Sequence, residues 1–283
     1  MIRASLIFMM AVCCFAQRVH VYSPLTRVDP SGEIVKADRG SAESRHILSP
    51  GVPRNASTPL RIVVEMDRPE FYLLDIGQNP EHAVKATLYK EVFVETPAGF
   101  VPDRLEEVST PYRGFPADFR LPGQKAVTFW LDMKVAKNAP VDRIKVEPQL
   151  YVDSKKDWIV YPMEVRVQEP VVPDGKPVSL TTLPGPEEPA DAAVRAPLQA
   201  ALCGTASAKA SVGNPLTSRE LLRRYAEQDL RLARDRARLR AAFTKFSGFS
   251  DADAWCKKPS TPAAGPEWYL RLRDAVYRES GAK

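Results

Sequence analysis

The sequence predicts a mainly β fold, in which an antiparallel β-sandwich is followed by a small C-terminal α-helical region. Apolar and polar residues alternate with a period of two in several short segments between residues 58 and 168, which is typical of strands with one buried face. No helical pattern that could connect parallel strands lies between these segments. After a proline-rich stretch, the apolar period changes to that of amphipathic helices.

The amino terminus has the pattern of a secretory signal peptide. Arg3 supplies a positive charge, and Ala4–Cys13 form an uncharged apolar run. This run is shorter than the about 20 apolar residues that span a bilayer. A small residue, Ala16, precedes Gln17, so we expect residues 1–16 to be removed on export.

A lipoprotein signal is the alternative, with Cys13 or Cys14 acylated. Such signals usually place Gly, Ala or Ser before the modified cysteine, whereas Val12 precedes Cys13 here. No later stretch is long and apolar enough for a membrane span. The mature chain is therefore expected to be soluble or peripherally attached, in the periplasm or outside the cell.

The elements are predicted in chain order from these patterns. Residues 17–57 are polar and rich in proline, and they are predicted to be an amino-terminal arm with a turn at residues 29–32. This arm is either a hairpin that leads into the domain or a loose segment. Residues 96–123 are predicted to be a proline-rich excursion within the sandwich. The predicted strands are residues 60–66, 71–76, 84–94, 127–135, 143–152 and 158–167.

One stretch of the predicted sandwich resembles a known class of module. The run from Ala126 to Pro140, followed by alternation through Ile144 and Val146, resembles the strand, proline turn and strand of immunoglobulin-like and fibronectin-III-like modules of exported bacterial proteins. Residues 141–144 stand where that pattern usually has Pro-Gly-x-Tyr. The resemblance implies an immunoglobulin-like sandwich over about residues 58–168; such modules serve as spacers beside glycoside hydrolases, adhesion units or ligand-binding domains.

Two segments follow the predicted sandwich. Residues 169–198 contain many prolines and few bulky residues, and they are predicted to be an extended linker. Residues 199–283 are predicted to be a basic helical domain, whose long first helix begins at Thr217 and ends near Phe246. Two shorter helices are expected after it.

Cys203 and Cys256 are the two cysteines that remain after removal of the signal peptide. An even pair in an exported chain is most simply a disulfide bond. A redox-active or metal-binding pair is the alternative, but the spacing is not C-x-x-C and the chain has only three histidines.

Positive charge is concentrated in the C-terminal part of the chain. From residue 191 onward there are 17 Lys and Arg against 10 Asp and Glu, whereas residues 1–190 carry a net charge of −2. The long helix could present a basic surface to an acidic partner, a cell-wall polymer or anionic lipid, or be a solvated face with local ion pairs. The candidate binding arginines are Arg223, Arg224, Arg231, Arg234 and Arg238.

Aromatic residues in the predicted strands are candidates for a second binding surface. Trp130 lies out of phase with the apolar residues of its own strand, and Trp158 is the other tryptophan of the sandwich. Together with Tyr89 and Tyr151, these rings could stack on sugars or anchor a protein partner if they are exposed. The alternative is that the arm or the helical domain covers the sheet and the rings pack beneath it.

No enzyme motif is present. The sequence has no G-x-S-x-G, H-E-x-x-H, P-loop or dinucleotide pattern. Asp75, Asp132 and Asp157 lie in or beside predicted strands and would have to meet to act as the paired carboxylates of a glycosidase. We therefore predict no catalytic residues, no cofactor and no bound metal.

The function predicted from these features is that of an exported, non-enzymatic structural or protein-binding protein of the cell envelope. The partner expected is an envelope protein or a glycan. A carbohydrate-binding accessory module and peripheral attachment to an anionic surface through the basic helix are the alternatives. Nucleic acid is not expected, because the signal peptide directs the chain away from it.

Overall fold

The computed structural model describes residues 17–40, 49–175, 183–204, 216–233 and 235–281. These residues form eleven β-strands and five α-helices, and the strands are arranged in two sheets. The predicted fold class, a mainly β sandwich followed by a helical region, is confirmed. The predicted signal peptide lies outside the described residues.

The first sheet is antiparallel throughout, with the strand order β1–β3–β8–β5–β6. Its strands are β1 (Arg18–Tyr22), β3 (Ser57–Glu65), β5 (Lys85–Thr96), β6 (Gly99–Val108) and β8 (Ala126–Lys134).

The second sheet has the order β2–β11–β9–β4–β7, and β10 pairs with β9 beside β11. Its strands are β2 (Gly51–Arg54), β4 (Tyr72–Asn79), β7 (Tyr112–Gly114), β9 (Arg143–Val152), β10 (Asp157–Val160) and β11 (Glu164–Val171). All pairs are antiparallel except β2 with β11, which is parallel.

The main core lies between the two sheets and follows the period of two in the sequence. Phe129 and Leu131 of β8 point into it from the first sheet, and Val146 and Leu150 of β9 point into it from the second. All four side chains are fully buried. The residues between them in each strand therefore point to the outer faces of the sandwich.

The residues predicted to form an amino-terminal arm contribute a strand to each sheet, and an antiparallel bridge between Val28 and Ile34 flanks the turn at residues 29–32. β1 pairs with β3 in register, with Val21 opposite Ile62, and β2 adds to the edge at β11. Both strands are short and lie at sheet edges. Prolines and polar residues are common in such strands, which is why their sequence signal is weak.

The predicted proline-rich excursion at residues 96–123 contains β6 and β7. β6 was not predicted as a strand because it contains Pro102. This proline is tolerated because β6 is an edge strand and Pro102 lies at an irregularity in its pairing with β5. The predicted strand at residues 158–167 is two strands, β10 and β11, with Pro162 between them.

The helical region starts earlier than predicted, within the stretch assigned to the linker. Its helices are α1 (Ala192–Cys203), α2 (Ser218–Leu230), α3 (Arg236–Phe246), α4 (Ala252–Lys257) and α5 (Trp268–Gly281). Ala193, Val194 and Leu198 of α1 are buried, so the end of the predicted linker belongs to a packed core.

The predicted long helix from Thr217 to Phe246 is wrong, because it is broken between α2 and α3. Thr217 is the N-cap of α2, as predicted, and accepts a hydrogen bond from the backbone N–H of Glu220. Asp235 caps a new helix by accepting from the backbone N–H groups of Ala237 and Arg238. Asp229 of α2 is buried and accepts hydrogen bonds from the hydroxyl groups of Tyr269 and Tyr277 of α5.

A buried ion pair lies on the outer face of the first sheet. The Arg61 guanidinium donates to the Glu91 carboxylate at 2.7 and 2.8 Å, and neither side chain is exposed. Arg61 also donates to the backbone carbonyls of Pro24 and Thr26, so the segment after β1 lies over this face.

We predict that breaking this pair destabilises the protein far more than breaking an exposed one. In Arg61→Met the Glu91 charge stays buried without its partner, which costs about 3–5 kcal/mol. The double variant Arg61→Met/Glu91→Met should lose less than the sum of the two single variants. Urea unfolding at pH 7 measures these free energies.

The exposed pair of Arg143 with Glu164, at 3.0 Å, provides the matched control. Arg143→Met should change the free energy of unfolding by less than about 1 kcal/mol. A loss in Arg61→Met as small as that of the control would contradict the buried geometry.

Candidate functional site

The predicted disulfide bond is present between Cys203, at the end of α1, and Cys256 in α4. The two Cα atoms are 5.9 Å apart, and the bond closes a separation of 53 residues. Beside it, the rings of Phe243, Trp255 and Trp268 pack within about 6 Å of one another in the helical core. The bond is therefore structural and joins two helices of the same core.

Trp130 is fully buried and therefore lacks the exposed ring that a binding residue needs. Its ring stacks on Tyr225 of α2, with a centroid distance of 6.4 Å and an interplanar angle of 13°. The Arg61 guanidinium lies 5.2 Å from the centroid of the same ring. The packing alternative is the correct one, because the helical region covers this face of the first sheet.

A polar cluster lies beside Trp130 under α2. One oxygen of the Asp132 carboxyl, the Tyr225 hydroxyl and the Trp130 indole N–H are buried, and none of these three has a hydrogen bond of ordinary distance and angle. Burial raises the pKa of Asp132 to about 6, although weaker contacts with Tyr225 and Ser57 and the charge of Lys134 oppose the rise. The carboxylate form is therefore disfavoured here, as expected for a desolvated acid.

The structure does not bring the three candidate carboxylates together. Asp132 points out of the first sheet, whereas Asp75 points out of the second, on the opposite side of the core. Asp157 is exposed and lies two strands and three residues from Asp75, about 14 Å by strand spacing. Paired glycosidase carboxylates are about 5–9.5 Å apart, so these residues do not form such a pair.

Two of the predicted binding arginines are held in ion pairs on α2. Arg223 is buried and pairs with Glu220 and Glu227, each at 2.5 Å. Arg224 pairs with Glu220 at 2.8 Å. Local pairing therefore neutralises most of the charge on this helix.

The other predicted arginines lie at the break between α2 and α3. Arg238 is exposed and lies 3.6 Å from Asp235. Arg231 is half-buried, and Arg234 lies outside the described residues. The described arginines of the predicted set therefore do not form a single basic surface.

The outer face of the second sheet carries a row of apolar side chains. Leu73 of β4 lies opposite Tyr151 of β9, and Tyr151 lies opposite Trp158 of β10. The Tyr151 and Trp158 rings are 5.5 Å apart at an angle of 55°. Before β4, the Phe71 ring lies 5.6 Å from Phe115, which follows β7.

These residues form the most exposed apolar surface of the described chain. Four large apolar side chains are exposed among the described residues, and three of them belong to this surface: Trp158 at 44%, Val160 at 45% and Phe115 at 53%. A cluster of this kind marks an interaction site more often than scattered exposed side chains do.

Three polar side chains lie among the apolar ones. Asp75 is opposite Gln149, which is opposite Val160, and Arg113 is opposite Leu73. We call the whole surface the aromatic face. It consists of Phe71, Leu73, Asp75, Arg113, Phe115, Gln149, Tyr151, Trp158 and Val160.

Gly77 makes room for Gln149 on the aromatic face. A Cβ atom at Gly77 would lie 2.4 Å from the Gln149 amide nitrogen. Neither the Gln149 amide nor the Arg113 guanidinium has a hydrogen bond or ion pair to another described residue.

The other end of the same sheet face is charged. Lys145 of β9 lies opposite Glu164 of β11, and Arg143 lies opposite Arg166. The Arg143–Glu164 ion pair joins the two strands. The second sheet thus has an aromatic end and a charged end on one outer face.

Sequence reasoning identified Trp158 and Tyr151 but missed the rest of the aromatic face. Leu73, Gln149 and Phe115 become neighbours of these rings only through the pairing of β4, β7, β9 and β10. The sequence shows only the alternation of apolar and polar residues within each strand. Which residues of different strands become neighbours on one face depends on the strand order, and the alternation does not predict that order.

The described residues contain neither a metal-binding cluster nor a helix suited to crossing a membrane. No group of three or more His, Cys, Asp or Glu side chains in these residues is arranged to hold a metal ion. None of the described helices has both the length and the apolar composition to cross a bilayer.

No protein-family model and no curated protein sequence matches the chain. Among solved structures, it is similar to a family 123 glycoside hydrolase from Clostridium perfringens, with 11% identity and a TM-score of 0.39. The match covers 56% of this chain and 28% of the hydrolase, so it spans well under half of that protein.

Two further structures match at a similar level. The C-terminal domain of the Streptococcus agalactiae AgI/II polypeptide BspA has 11% identity and a TM-score of 0.29, over 53% of this chain and 50% of that one. A chain of the complex of zinc 2-glycoprotein with prolactin-inducible protein from human seminal plasma has 8% identity and a TM-score of 0.27, over 47% and 99%. At these values the likeness is a general one among β-sandwiches, and no functional argument rests on it.

We predict that Asp132 makes the protein less stable as the pH rises from about 4 to 6. Its folded-state pKa is above its unfolded value, so the folded state binds the proton more tightly and this advantage is lost on deprotonation. A rise from 3.8 to about 6 corresponds to about 3 kcal/mol. Asp132→Asn, which stays neutral, should lack this part of the loss.

Urea unfolding at pH 4 and pH 7 measures the difference between the variant and the native chain. Asp157→Asn, at an exposed position, should follow the native pH dependence. If the free energy of unfolding changed equally between pH 4 and pH 7 in Asp132→Asn and in the native chain, Asp132 would not be desolvated.

Proposed function

We propose that this chain is an exported, non-enzymatic binding protein of the cell envelope, and that the aromatic face is its recognition surface. The observation that carries the proposal is the exposure of Trp158 and Phe115 on a sheet face whose neighbouring side chains include Tyr151 and Arg113. Tryptophan, tyrosine and arginine are the residues that most often dominate binding energy at interfaces.

The contrast between the two outer faces supports this choice. On the first sheet, Trp130 is buried beneath Tyr225 and Arg61. On the second sheet, Trp158 keeps 44% of its surface exposed. Leaving a tryptophan exposed forgoes the free energy that its burial would give, so a surface of this kind is best explained by a ligand that covers it.

The arrangement of acidic and basic residues supports binding rather than catalysis. Asp75 and Asp132 lie on opposite sides of the sandwich, too far apart to act on one bond. Attachment through the basic helix is less well supported, because Arg223 and Arg224 are paired with glutamates of their own helix.

Export is supported by the amino-terminal sequence and by the disulfide bond. Arg3 and the apolar run Ala4–Cys13 have the composition of a signal peptide. The Cys203–Cys256 bond is compatible with an oxidising compartment.

We predict that Trp158→Ala lowers binding to isolated native envelopes at least tenfold, because Trp158 is the largest of the exposed apolar side chains on the aromatic face. Sedimentation of the labelled mature chain with envelopes gives the dissociation constant. Tyr151→Ala should have an effect of the same sign, and near-ultraviolet circular dichroism checks that both variants remain folded.

Val141→Ala is the matched control, because Val141 is 57% exposed but lies outside the aromatic face. It should bind as the native chain does. Saturable binding that is unchanged in both aromatic variants would refute the aromatic face as the recognition surface. Chains shortened after Pro170 are unsuitable here, because they would uncover Trp130.

A further inference from the structure

We infer that Gln17 is the first residue of the exported chain, and that its contact with Glu70 protects it from cyclisation to pyroglutamate. The inference rests on the export part of the proposed function, because the signal peptide is expected to be removed before Gln17. It concerns the amino terminus and does not depend on the ligand of the aromatic face.

An amino-terminal glutamine is a reactive residue. Its α-amino nitrogen attacks the side-chain amide carbon, Cδ, and closes a lactam ring. The bond between Cδ and Nε2 breaks, and Nε2 leaves as ammonia with a proton that the α-amino group gives up. The ring form has lost both the positive charge of the amino terminus and the Nε2 donor.

The Gln17 side chain is buried and is held at its reactive end. The residue is 8% exposed, and Nε2 donates to Oε1 of Glu70 at 2.9 Å. Gln17 directly precedes β1 of the first sheet, whereas Glu70 lies shortly before β4 of the second sheet. A side chain reacts only when it reaches the geometry of attack, which here requires that Cδ turn onto the α-nitrogen. Both the burial and the hydrogen bond restrict that rotation.

Glu70 is itself fixed by the turn between β9 and β10. Its Oε2 accepts the backbone N–H of Ser154 at 2.8 Å, and its Oε1 accepts the Ser154 hydroxyl at 2.8 Å. Three hydrogen bonds to one carboxylate keep it in place beside Gln17. An ionised carboxylate only accepts hydrogen bonds, so Glu70 has no proton to give to departing ammonia.

The backbone beside Gln17 is also fixed. Arg18 pairs with Glu65 of β3, and the next side chain, Val19, is 7% exposed. The first sheet therefore begins directly after the expected cleavage position. Cyclisation in the folded protein requires that this end of β1 open locally, and the rate falls with the population of the open form.

The same carboxylate connects the amino terminus to the aromatic face. Glu70 precedes Phe71 of that face, and Ser154 lies in the turn that leads to β10 and Trp158. Cyclisation of Gln17 would remove one of the three hydrogen bonds of Glu70 and leave those to Ser154. An intact glutamine therefore keeps the tie between the two sheets at this point.

The test follows the amino-terminal peptide of the exported chain. Endoproteinase Asp-N cuts before Asp29 and releases residues 17–28, whose open and ring forms differ in mass by one ammonia. The folded chain and the free peptide of the same residues are incubated at pH 8 and 37 °C, and mass spectrometry measures the ring form with time. We expect the ring to form at least tenfold more slowly in the folded chain.

Variants assign the protection to Glu70. Glu70→Ala removes the acceptor and should raise the rate at least threefold, whereas Glu70→Gln keeps an acceptor oxygen and should give a rate between the two. Glu81→Ala is the matched control, because Glu81 is exposed and follows the opposite end of β4. It should react as the native chain does. Near-ultraviolet circular dichroism checks the fold, and Glu70→Gln decides if Glu70→Ala does not fold.

Equal rates in the folded chain and in the free peptide would overturn the inference, and so would Glu70 variants that react no faster than the native chain. An exported chain that begins at another residue would overturn it as well and leave recognition by the aromatic face in place. Envelope binding that does not depend on Trp158 would overturn the recognition surface and leave the protection of Gln17 in place.

Discussion

The buried ion pair of Arg61 with Glu91 lies on the outer face of the first sheet, and this position requires that face to be covered. An unpaired charge there would be strongly destabilising, and the pair is fully desolvated only because other segments lie over it. The segment after β1 covers one part, where Val28 packs on Val63. Helix α2 covers the neighbouring part through Tyr225. The amino-terminal strands and the helical region are therefore parts of one folded unit with the sandwich.

Covering one face gives the two sheets different roles. The first sheet has a second layer, formed by the amino-terminal segment and the helices, and its tryptophan is a packing residue. The second sheet keeps an exposed tryptophan at one end of its outer face and an ion pair at the other. A sandwich without the helical layer would need polar residues on both outer faces to stay soluble. The helical layer thus limits the exposed aromatic surface to one sheet.

Local patterns in the sequence were sufficient for the fold class, the central strands and the disulfide bond, because alternation and cysteine parity are local or compositional signals. They were insufficient for β6, whose Pro102 is accepted only at an irregular point of an edge strand. They were also insufficient for the break after α2, where burial of Asp229 against Tyr277 depends on a helix 48 residues away. The same limit applied to Trp130, whose exposure depends on a distant helix, and to Gln149, whose neighbours are set by strand order.

Contacts between the two ends of the chain have a consequence for how it folds. Ser23 and Thr26 donate to the Glu267 carboxylate across 244 and 241 residues, and Arg27 donates to the backbone carbonyl of Glu188 across 161 residues. Contacts between residues so far apart in the sequence form slowly. During synthesis from the amino terminus, the contacts with Glu267 cannot form until that part of the chain has been made. Until then the outer layer of the first sheet cannot close over its ion pair. During that interval, the groups of this sheet face stay open to solvent and to other unfolded chains.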